Sequence, residues 1–282
     1  MSPLTLDRDI STINKSNFRI LTVNPANPQY NRSALVLRSI LFWVWMTLGT
    51  LTMALPVMFG ALISRRTGIY LSTIWARINL FGLKLFCQLT CKVHGSENVP
   101  ADGCIVMSKH QSTFETYFLP TVLLDYTFVA KRSLTLIPIF GWCIYLVKFI
   151  LIDRKSGRSA IKQMTEQSRD HLNNGTHVVI FPEGTRMPVN AEPNYRIGGA
   201  IVAVKNEASI LPVAHNAGEF WPRMGFIKWP GEITMHIGKP INCTGKTYEQ
   251  ALEETQNWIE NKMQEITIPD RFPYDGNSTA VA

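Results

Sequence analysis

The amino-acid sequence predicts an α/β fold: a central mixed, largely parallel sheet flanked by helices, with an N-terminal two-helix membrane anchor. Short apolar runs alternate with helical patterns from residue 89 onward, which is typical of strands covered by helices. Residues 39–64 carry no charge and differ in character from everything after them. A length of 282 residues and a hydrophobic content of 46% fit one large domain with an appendage.

The anchor is expected over residues 39–88, after a basic polar segment at 1–38. Its uncharged part exceeds the roughly 20 apolar residues that a span requires, and the long polar segment before it argues against a signal peptide. Basic residues lie on both sides, so charge gives no clear orientation. Pro56 favours a break that turns the chain back, and residues 70–88 have an amphipathic pattern. We therefore expect two helices inserted in, or re-entrant from, one leaflet rather than a single span or two core helices.

Charge is distributed unevenly along the chain. No acidic residue lies between Asp9 and Glu97, whereas nine basic residues do. Such a bias suits an anionic membrane surface. Nucleic acid is the competing partner, but there is no recognition motif and the basic residues alternate with apolar stretches, so no nucleic acid is expected. The five cysteines form no Cys-x-x-Cys pair, which predicts neither a disulfide framework nor a zinc site and fits a reducing cytosolic face.

The domain at residues 89–268 is built from seven predicted strands, and a loose polar tail follows at 269–282. The strands are predicted at residues 92–93, 104–107, 127–130, 149–152, 178–181, 210–214 and 233–237. Amphipathic helices are predicted at 157–174 and 248–266. Polar residues follow three of the strands, and the carboxyl ends of parallel strands meet in one crevice.

His110 and Glu115 are the first of these residues. A histidine with a nearby carboxylate is the minimum for a general base with a fixed tautomer. The alternative is structural, because Ser112 and Glu115 also fit a capping box at the start of a helix. If that helix begins near Ser112, His110 lies in the turn before it, and Glu115 serves the helix, the imidazole or both. No Gly-x-Ser-x-Gly elbow and no activated cysteine is present, so the histidine is expected to deprotonate a substrate hydroxyl directly.

The second group is the segment Phe-Pro-Glu-Gly-Thr-Arg at residues 181–186. Gly184 allows close backbone approach to a phosphate, and the guanidinium of Arg186 suits bidentate contact with it. Together with the histidine this predicts one active site.

These motifs resemble the glycerolipid acyltransferases of the lysophosphatidic acid acyltransferase type. The family has His-x4-Asp, a Phe-Ile-x-Arg segment, Phe-Pro-Glu-Gly-Thr-Arg and an apolar strand ending in proline. In this chain they correspond to residues 110–115, 149–154, 181–186 and 210–213, within a region of similarity at about 90–240. Glu115 departs from the family's Asp, and its extra methylene alters the reach to the imidazole.

The resemblance implies a membrane-associated enzyme, with its active site on the cytoplasmic face, that moves an acyl chain from acyl-CoA or acyl carrier protein to 1-acylglycerol-3-phosphate. It needs no metal and no cofactor beyond the thioester donor. His110 is the implied base and Glu115 orients it. The implied substrate-binding residues are Lys131, Arg154, Glu183, Gly184, Thr185 and Arg186. Glu183 either orders the loop or contacts the glycerol. Two alternatives remain: another lysophospholipid or lyso-aminolipid acceptor, or a non-catalytic membrane lipid-binding protein on the same scaffold.

Overall fold

A seven-stranded mixed sheet lies at the centre of the computed structural model, which describes residues 30–153 and 156–268. The strands are β1 (Leu89–His94), β2 (Ile105–Ser108), β3 (Tyr126–Lys131), β4 (Ile150–Ile152), β5 (His177–Ile180), β6 (Ile210–His215) and β7 (Gly231–Ile237). Their order across the sheet is β1-β7-β6-β2-β5-β3-β4, and every neighbouring pair is parallel except β6–β7. The predicted α/β fold with a mixed, largely parallel sheet is therefore confirmed.

Strand β2 lies in the middle of the sheet, where every one of its residues is buried. It pairs with β5 on one side, with Met107 opposite Ile180, and with β6 on the other, with Ser108 opposite Val213. Parallel strands that are buried on both faces are continuous apolar runs, which is why these segments could be recognised. The chain leaves β2 and β5 side by side, so the two polar motifs that follow them are neighbours.

Five helices surround the sheet. They are α3 (Phe114–Leu123), α4 (Phe140–Leu146), α5 (Arg158–Asn173), α6 (Gly198–Lys205) and α7 (Tyr248–Ile266). Helix α7 has the same bounds as its sequence prediction, because a capping box between Thr247 and Gln250 fixes its start. Buried side chains from α5, α6 and α7 pack with β2, β4, β5 and β6 in one hydrophobic cluster. The predicted basic segment up to residue 29 and the predicted polar tail at 269–282 lie outside the described part of the chain.

Two long helices precede the sheet: α1 (Arg32–Ile63) and α2 (Arg65–Cys87). The expectation that Pro56 ends the first helix was wrong. Proline removes one backbone donor, but α1 continues through it for two further turns, and the chain reverses at Ser64. The side chain of Ser64 accepts the backbone N–H of Thr67, so it caps α2 while ending α1.

Helix α1 lies along the α/β domain and contacts it at several levels. Near its start, the indole N–H of Trp43 donates to the carbonyl of Phe226. Further along, the thiol of Cys143 in α4 lies 3.8 Å from the carbonyl of Ala54. Immediately after its end, Arg65 lies 2.6 Å from the Asp125 carboxylate. Contacts at the beginning, middle and end show that the helix does not project away from the domain.

The opposite face of α1 is a stripe of exposed apolar side chains. They recur every three or four residues: Leu37, Leu41, Val44, Leu48, Leu51, Leu55, Phe59 and Leu62. Within residues 30–153 and 156–268, α1 is the one helix long and apolar enough to cross a membrane. At 1.5 Å per residue the stripe extends over about 38 Å. An exposed apolar stripe of this length is typical of a surface that binds a membrane or another protein.

Candidate active site

His110 lies two residues beyond the end of β2, and its backbone is held on both sides. Its N–H donates to Glu183 Oε2 at 2.9 Å, and its carbonyl accepts the N–H of Met187 at 2.7 Å. Lys109 N–H continues the ladder of β2 by donating to the carbonyl of Val213. Because Glu183 and Met187 both follow β5, the two motifs that the sequence placed in one crevice form a single unit.

The imidazole of His110 has a fixed tautomer. Its Nδ1 lies 2.7 Å from Glu115 Oε1, which also accepts the backbone N–H groups of Gln111 and Ser112 at 3.2 and 3.0 Å. An acceptor surrounded by donors is an ionised carboxylate, so Nδ1 carries the proton and Nε2 has its lone pair free to accept. Among the described residues Nε2 has no hydrogen-bond partner.

Glu115 serves both the helix and the imidazole. Its bond from the Ser112 amide is half of a capping box, but the Ser112 hydroxyl accepts from Phe114 instead of completing it. Helix α3 therefore begins at Phe114, two residues later than the sequence indicated. The extra methylene of glutamate lets a carboxylate on the first turn of α3 reach back to the ring of His110.

Electrostatics keep Glu115 ionised although it is fully buried. Burial raises its pKa, but the neighbouring His215, the hydrogen bond to His110 and backbone donors together lower the pKa below its ordinary value. His215 lies 3.9 Å from Glu115 Oε2; burial lowers the pKa of His215, and the charge of Glu115 opposes that fall. The two groups are thus coupled, and the hydrogen bonds to Oε1 add to the stabilisation of the carboxylate.

The loop at residues 181–186 covers the other side of the histidine. The ring of Phe181 stacks on the imidazole at a centroid distance of 3.9 Å. Gly184 has φ of +71°, a left-handed conformation that strains other residues, and the turn brings its N–H to the Phe181 carbonyl. The Glu183 carboxylate is buried, and its Oε1 lies 2.8 Å from Lys109 Nζ. This position suits ordering of the loop, one of the two roles expected for Glu183, and not contact with the glycerol of a substrate.

A cavity of about 580 Å³ opens at His110 and extends between α1, α2 and α4. Polar, charged and glycine residues in its lining include His110, Thr113, Lys131, Gly184, Thr185, Arg186 and Arg223. Its remainder is apolar and is lined by Met53, Val57, Trp75, Phe140, Ile144 and Val147 among others. Leu134, Cys143 and other side chains between residues 134 and 147 supply part of this lining. Neither Glu115 nor Glu183 lines the cavity, and Arg154 lies outside the described residues.

Arg186 is available to a ligand. Its Nε is buried without a hydrogen-bond partner, and its guanidinium forms no ion pair with a carboxylate in the described part of the chain. Arg223 donates to the carbonyl of Arg186 and lines the same end of the cavity. Lys131 is exposed at the end of β3. No group of three or more metal-binding side chains was found within residues 30–153 and 156–268.

Three residues of the site were missed from the sequence: Lys109, His215 and Arg223. In the sequence alone, Lys109 is most simply interpreted as an exposed charge. Its partners Glu183 and Glu260 are distant in sequence and are brought to it by folding. His215 ends β6, and its Nε2 lies 2.8 Å from the Lys109 carbonyl. Arg223 belongs to an irregular loop without a motif. The signal that was available for His215 was its position at the end of a buried strand next to β2.

Comparison with known proteins decides the family. Residues 90–216 match the family model described as "Acyltransferase". The 1-acyl-sn-glycerol-3-phosphate acyltransferase of Pseudomonas aeruginosa is 38% identical over 196 residues, which cover 68% of this chain and 76% of that protein. This chain belongs to the acyltransferase family. The resemblance noted from the motifs, and the expectation of an enzyme, are thereby confirmed.

More distant relatives agree. The human 1-acyl-sn-glycerol-3-phosphate acyltransferase alpha is 30% identical over 174 residues, which cover 61% of this acyltransferase and 62% of the human protein. The crystal structure of the lysophosphatidic acid acyltransferase PlsC from Thermotoga maritima superposes with a TM-score of 0.69 at 22% identity. That match covers 81% of this chain and 94% of PlsC, and it supports the fold.

Proposed function

We propose that this acyltransferase moves an acyl chain from a thioester donor to the free hydroxyl of 1-acylglycerol-3-phosphate, giving phosphatidic acid. The observation that carries the proposal is that His110 and Arg186 line the same largely apolar cavity. A base beside an anion site suits an acceptor with both a hydroxyl and a phosphate. The relatives from Pseudomonas aeruginosa and human, both named as 1-acyl-sn-glycerol-3-phosphate acyltransferases, suggest the acceptor class.

His110 acts as the general base. Its Nε2 takes the proton of the acceptor hydroxyl while the hydroxyl oxygen attacks the thioester carbonyl. Glu115 stays ionised and stabilises the imidazolium that forms. The tetrahedral intermediate then expels the thiolate, which takes the proton back from Nε2 and leaves as a thiol. The products are the new ester and free CoA or carrier-protein thiol, and no covalent acyl-enzyme forms.

The acceptor phosphate binds at Arg186. Its unpartnered Nε supports this assignment, because a buried donor without a partner is costly unless a ligand satisfies it. Arg223, which donates to the Arg186 carbonyl, and Lys131 line the same cavity and add positive charge. Arg154 is assigned to the same phosphate site because it ends the family motif at residues 149–154. Gly184 and Thr185 allow close approach, whereas Glu183 contributes by ordering the loop.

The acyl chain of one substrate occupies the apolar part of the cavity. Packing of methylene groups against side chains from α1, α2 and α4 removes them from water and contributes about 0.8 kcal/mol for each group buried. Because α1 forms one wall of the cavity, its position affects catalysis directly.

The exposed stripe of α1 lies in one leaflet of a membrane, with both ends of the helix on the cytoplasmic side. Two contacts support this arrangement. Arg65, just after the end of α1, pairs with Asp125 before β3, and Trp43 in the first half of α1 contacts the same domain. A helix that crossed the bilayer would carry one of these contacts to the opposite side.

Topology is tested with single cysteines introduced near Thr5 and next to Arg66 in sealed inside-out and right-side-out vesicles. Peptide mapping by mass spectrometry separates the new thiols from Cys91 and Cys143. Both positions are expected to react with an impermeant maleimide from the cytoplasmic side. Labelling of the two from opposite sides would establish a single span and reject the re-entrant arrangement.

Function is tested with protein purified in detergent, a panel of labelled lysolipids and both donor classes. Acylation of 1-acylglycerol-3-phosphate is expected to exceed that of lysophospholipids with other head groups and of lyso-aminolipids. His110→Ala should lose at least about 10²-fold in turnover, the usual contribution of general base catalysis. Equal activity of this variant, or preference for a different acceptor, would reject the proposal, and inactivity of wild type on every acceptor would favour a lipid-binding role.

A further inference from the structure

Lys109 is buried beside the catalytic histidine and is not used in the mechanism above. Its side chain is 4% exposed, and Nζ lies 2.8 Å from both Glu183 Oε1 and Glu260 Oε1. Glu260 belongs to α7, and its Oε1 also accepts the hydroxyl of Tyr195 at 2.7 Å. One ammonium ion therefore joins the loop after β5 to the last helix of the domain.

The two oxygens of Glu183 have different partners. Oε1 faces Lys109 Nζ, and Oε2 accepts the backbone N–H of His110 at 2.9 Å. The orientation of the carboxylate that holds the His110 backbone is thus set by the lysine. A change at Lys109 reaches the imidazole through one carboxylate, without any contact between Lys109 and the reacting atoms.

Burial makes this arrangement dependent on the lysine. A buried carboxylate is strongly disfavoured without a cation or donors near it. Burial raises the pKa of Glu183, and the attraction of Lys109 opposes that rise. Without the ammonium ion, Glu183 would have to take up a proton or move towards water, and either change alters the acceptor that holds His110.

We propose that Lys109 is a positioning residue for acyl transfer: it fixes Glu183, and Glu183 fixes the backbone of His110 against Phe181 and the cavity. The inference deepens the proposed function and rests on it for the reaction. The environment of His110 can be measured by its chemical reactivity without a substrate, so the positioning role of Lys109 and the proposed function can be tested separately.

The test compares Lys109→Met with Lys162→Met as a control. Lys162 is an exposed lysine on α5 with a single surface partner, so its loss costs little. Lys109→Met is expected to lower kcat on the order of 10²-fold, the effect of a misplacement of about 1 Å, with both KM values close to wild type. His110 should also react faster with diethyl pyrocarbonate, followed by mass spectrometry.

A paired variant distinguishes positioning from a general structural role. Lys109→Met with Glu183→Gln leaves no unbalanced charge on Glu183, and the glutamine oxygen can still accept the His110 N–H. Part of the lost kcat should return, and the reactivity of His110 should move back towards wild type. Glu260 keeps its bond to Tyr195 and is partly exposed, so it tolerates the loss of the lysine.

Three outcomes would overturn the inference. One is unchanged kcat and unchanged His110 reactivity in Lys109→Met. Another is a fall in kcat with both KM values raised, a collapsed Tm and no recovery in the paired variant. The third is recovery of kcat without recovery of His110 reactivity. If wild type acylates no lysolipid but His110 reactivity follows the expected pattern, the proposed function fails while the positioning of His110 by Lys109 stands.

Discussion

Replacement of Glu115 by aspartate should impair catalysis although aspartate is the usual residue of the family motif. The shorter side chain withdraws the carboxylate by about 1.5 Å, the length of one carbon–carbon bond. The contact between His110 Nδ1 and Glu115 Oε1, which is 2.7 Å, would then exceed hydrogen-bond distance. The Cα of residue 115 is fixed on the first turn of α3, so the shorter carboxylate cannot follow the ring.

The size of the effect follows from that one bond. A hydrogen bond to a charged group contributes about 1.5–3 kcal/mol, and about 1.36 kcal/mol corresponds to a factor of ten in rate. Glu115→Asp should therefore lower kcat about 10- to 150-fold. The loss should appear in kcat because Glu115 does not line the cavity and KM for each substrate depends on other residues.

The assay measures initial rates of thiol release in mixed micelles at saturating concentrations of both substrates. Glu115→Gln is the matched control, because it keeps the length but removes the charge and leaves the tautomer of His110 unfixed. It should lose activity as well, whereas its KM values stay unchanged. Wild-type kcat in Glu115→Asp would show that the ring of His110 is oriented by something other than this carboxylate, and the assignment of its role would be wrong.

Two further predictions concern the attachment of α1. Lys228 Nζ lies 3.8 Å from the centre of the Trp43 ring on α1, and burial lowers its pKa to about 7. Between pH 7 and pH 10 the unfolded chain still binds a proton that the folded protein has lost, so the wild-type Tm should rise over this range. Lys228→Met should lack this rise. A parallel rise in both proteins, measured by differential scanning fluorimetry, would assign it to another group. Arg65→Ala should lower the free energy of unfolding by about 1–3 kcal/mol, because Asp125 and the Tyr126 carbonyl lose a donor. An unchanged urea midpoint would show that this pair does not hold the end of α1.

The strands were predictable because they are short apolar runs bounded by polar turns, and all seven have counterparts in the sheet. Their order was not, since pairing of β2 with β5 and β6 depends on packing between segments far apart in the chain. The same distinction between local sequence and long-range packing separates the site residues that could be predicted from those that could not. His110, Glu115 and Arg186 belong to local motifs, whereas the partner of Lys109 at Glu260 is 151 residues away.

The path of α1 was the other feature beyond the reach of the sequence. Composition shows a helix that is apolar all round, and Pro56 suggested where it would turn. Composition does not show that one face packs on the α/β domain through Phe42 and Val57 while the other remains exposed. Tertiary packing decided the length of the helix, because contacts along its buried face hold both halves on either side of the proline.

The pairing of Arg65 with Asp125 has a consequence for how the protein reaches its membrane. A re-entrant helix whose two ends are held by one folded domain needs no charged segment to be carried through a bilayer. In the re-entrant arrangement proposed for α1, Arg65 and Arg66 at the reversal of the chain keep their contacts with Asp125 and would stay with the headgroups. Delivery in that arrangement would require no translocation channel, because a chain already folded in the cytosol could bind by laying its apolar stripe into the near leaflet.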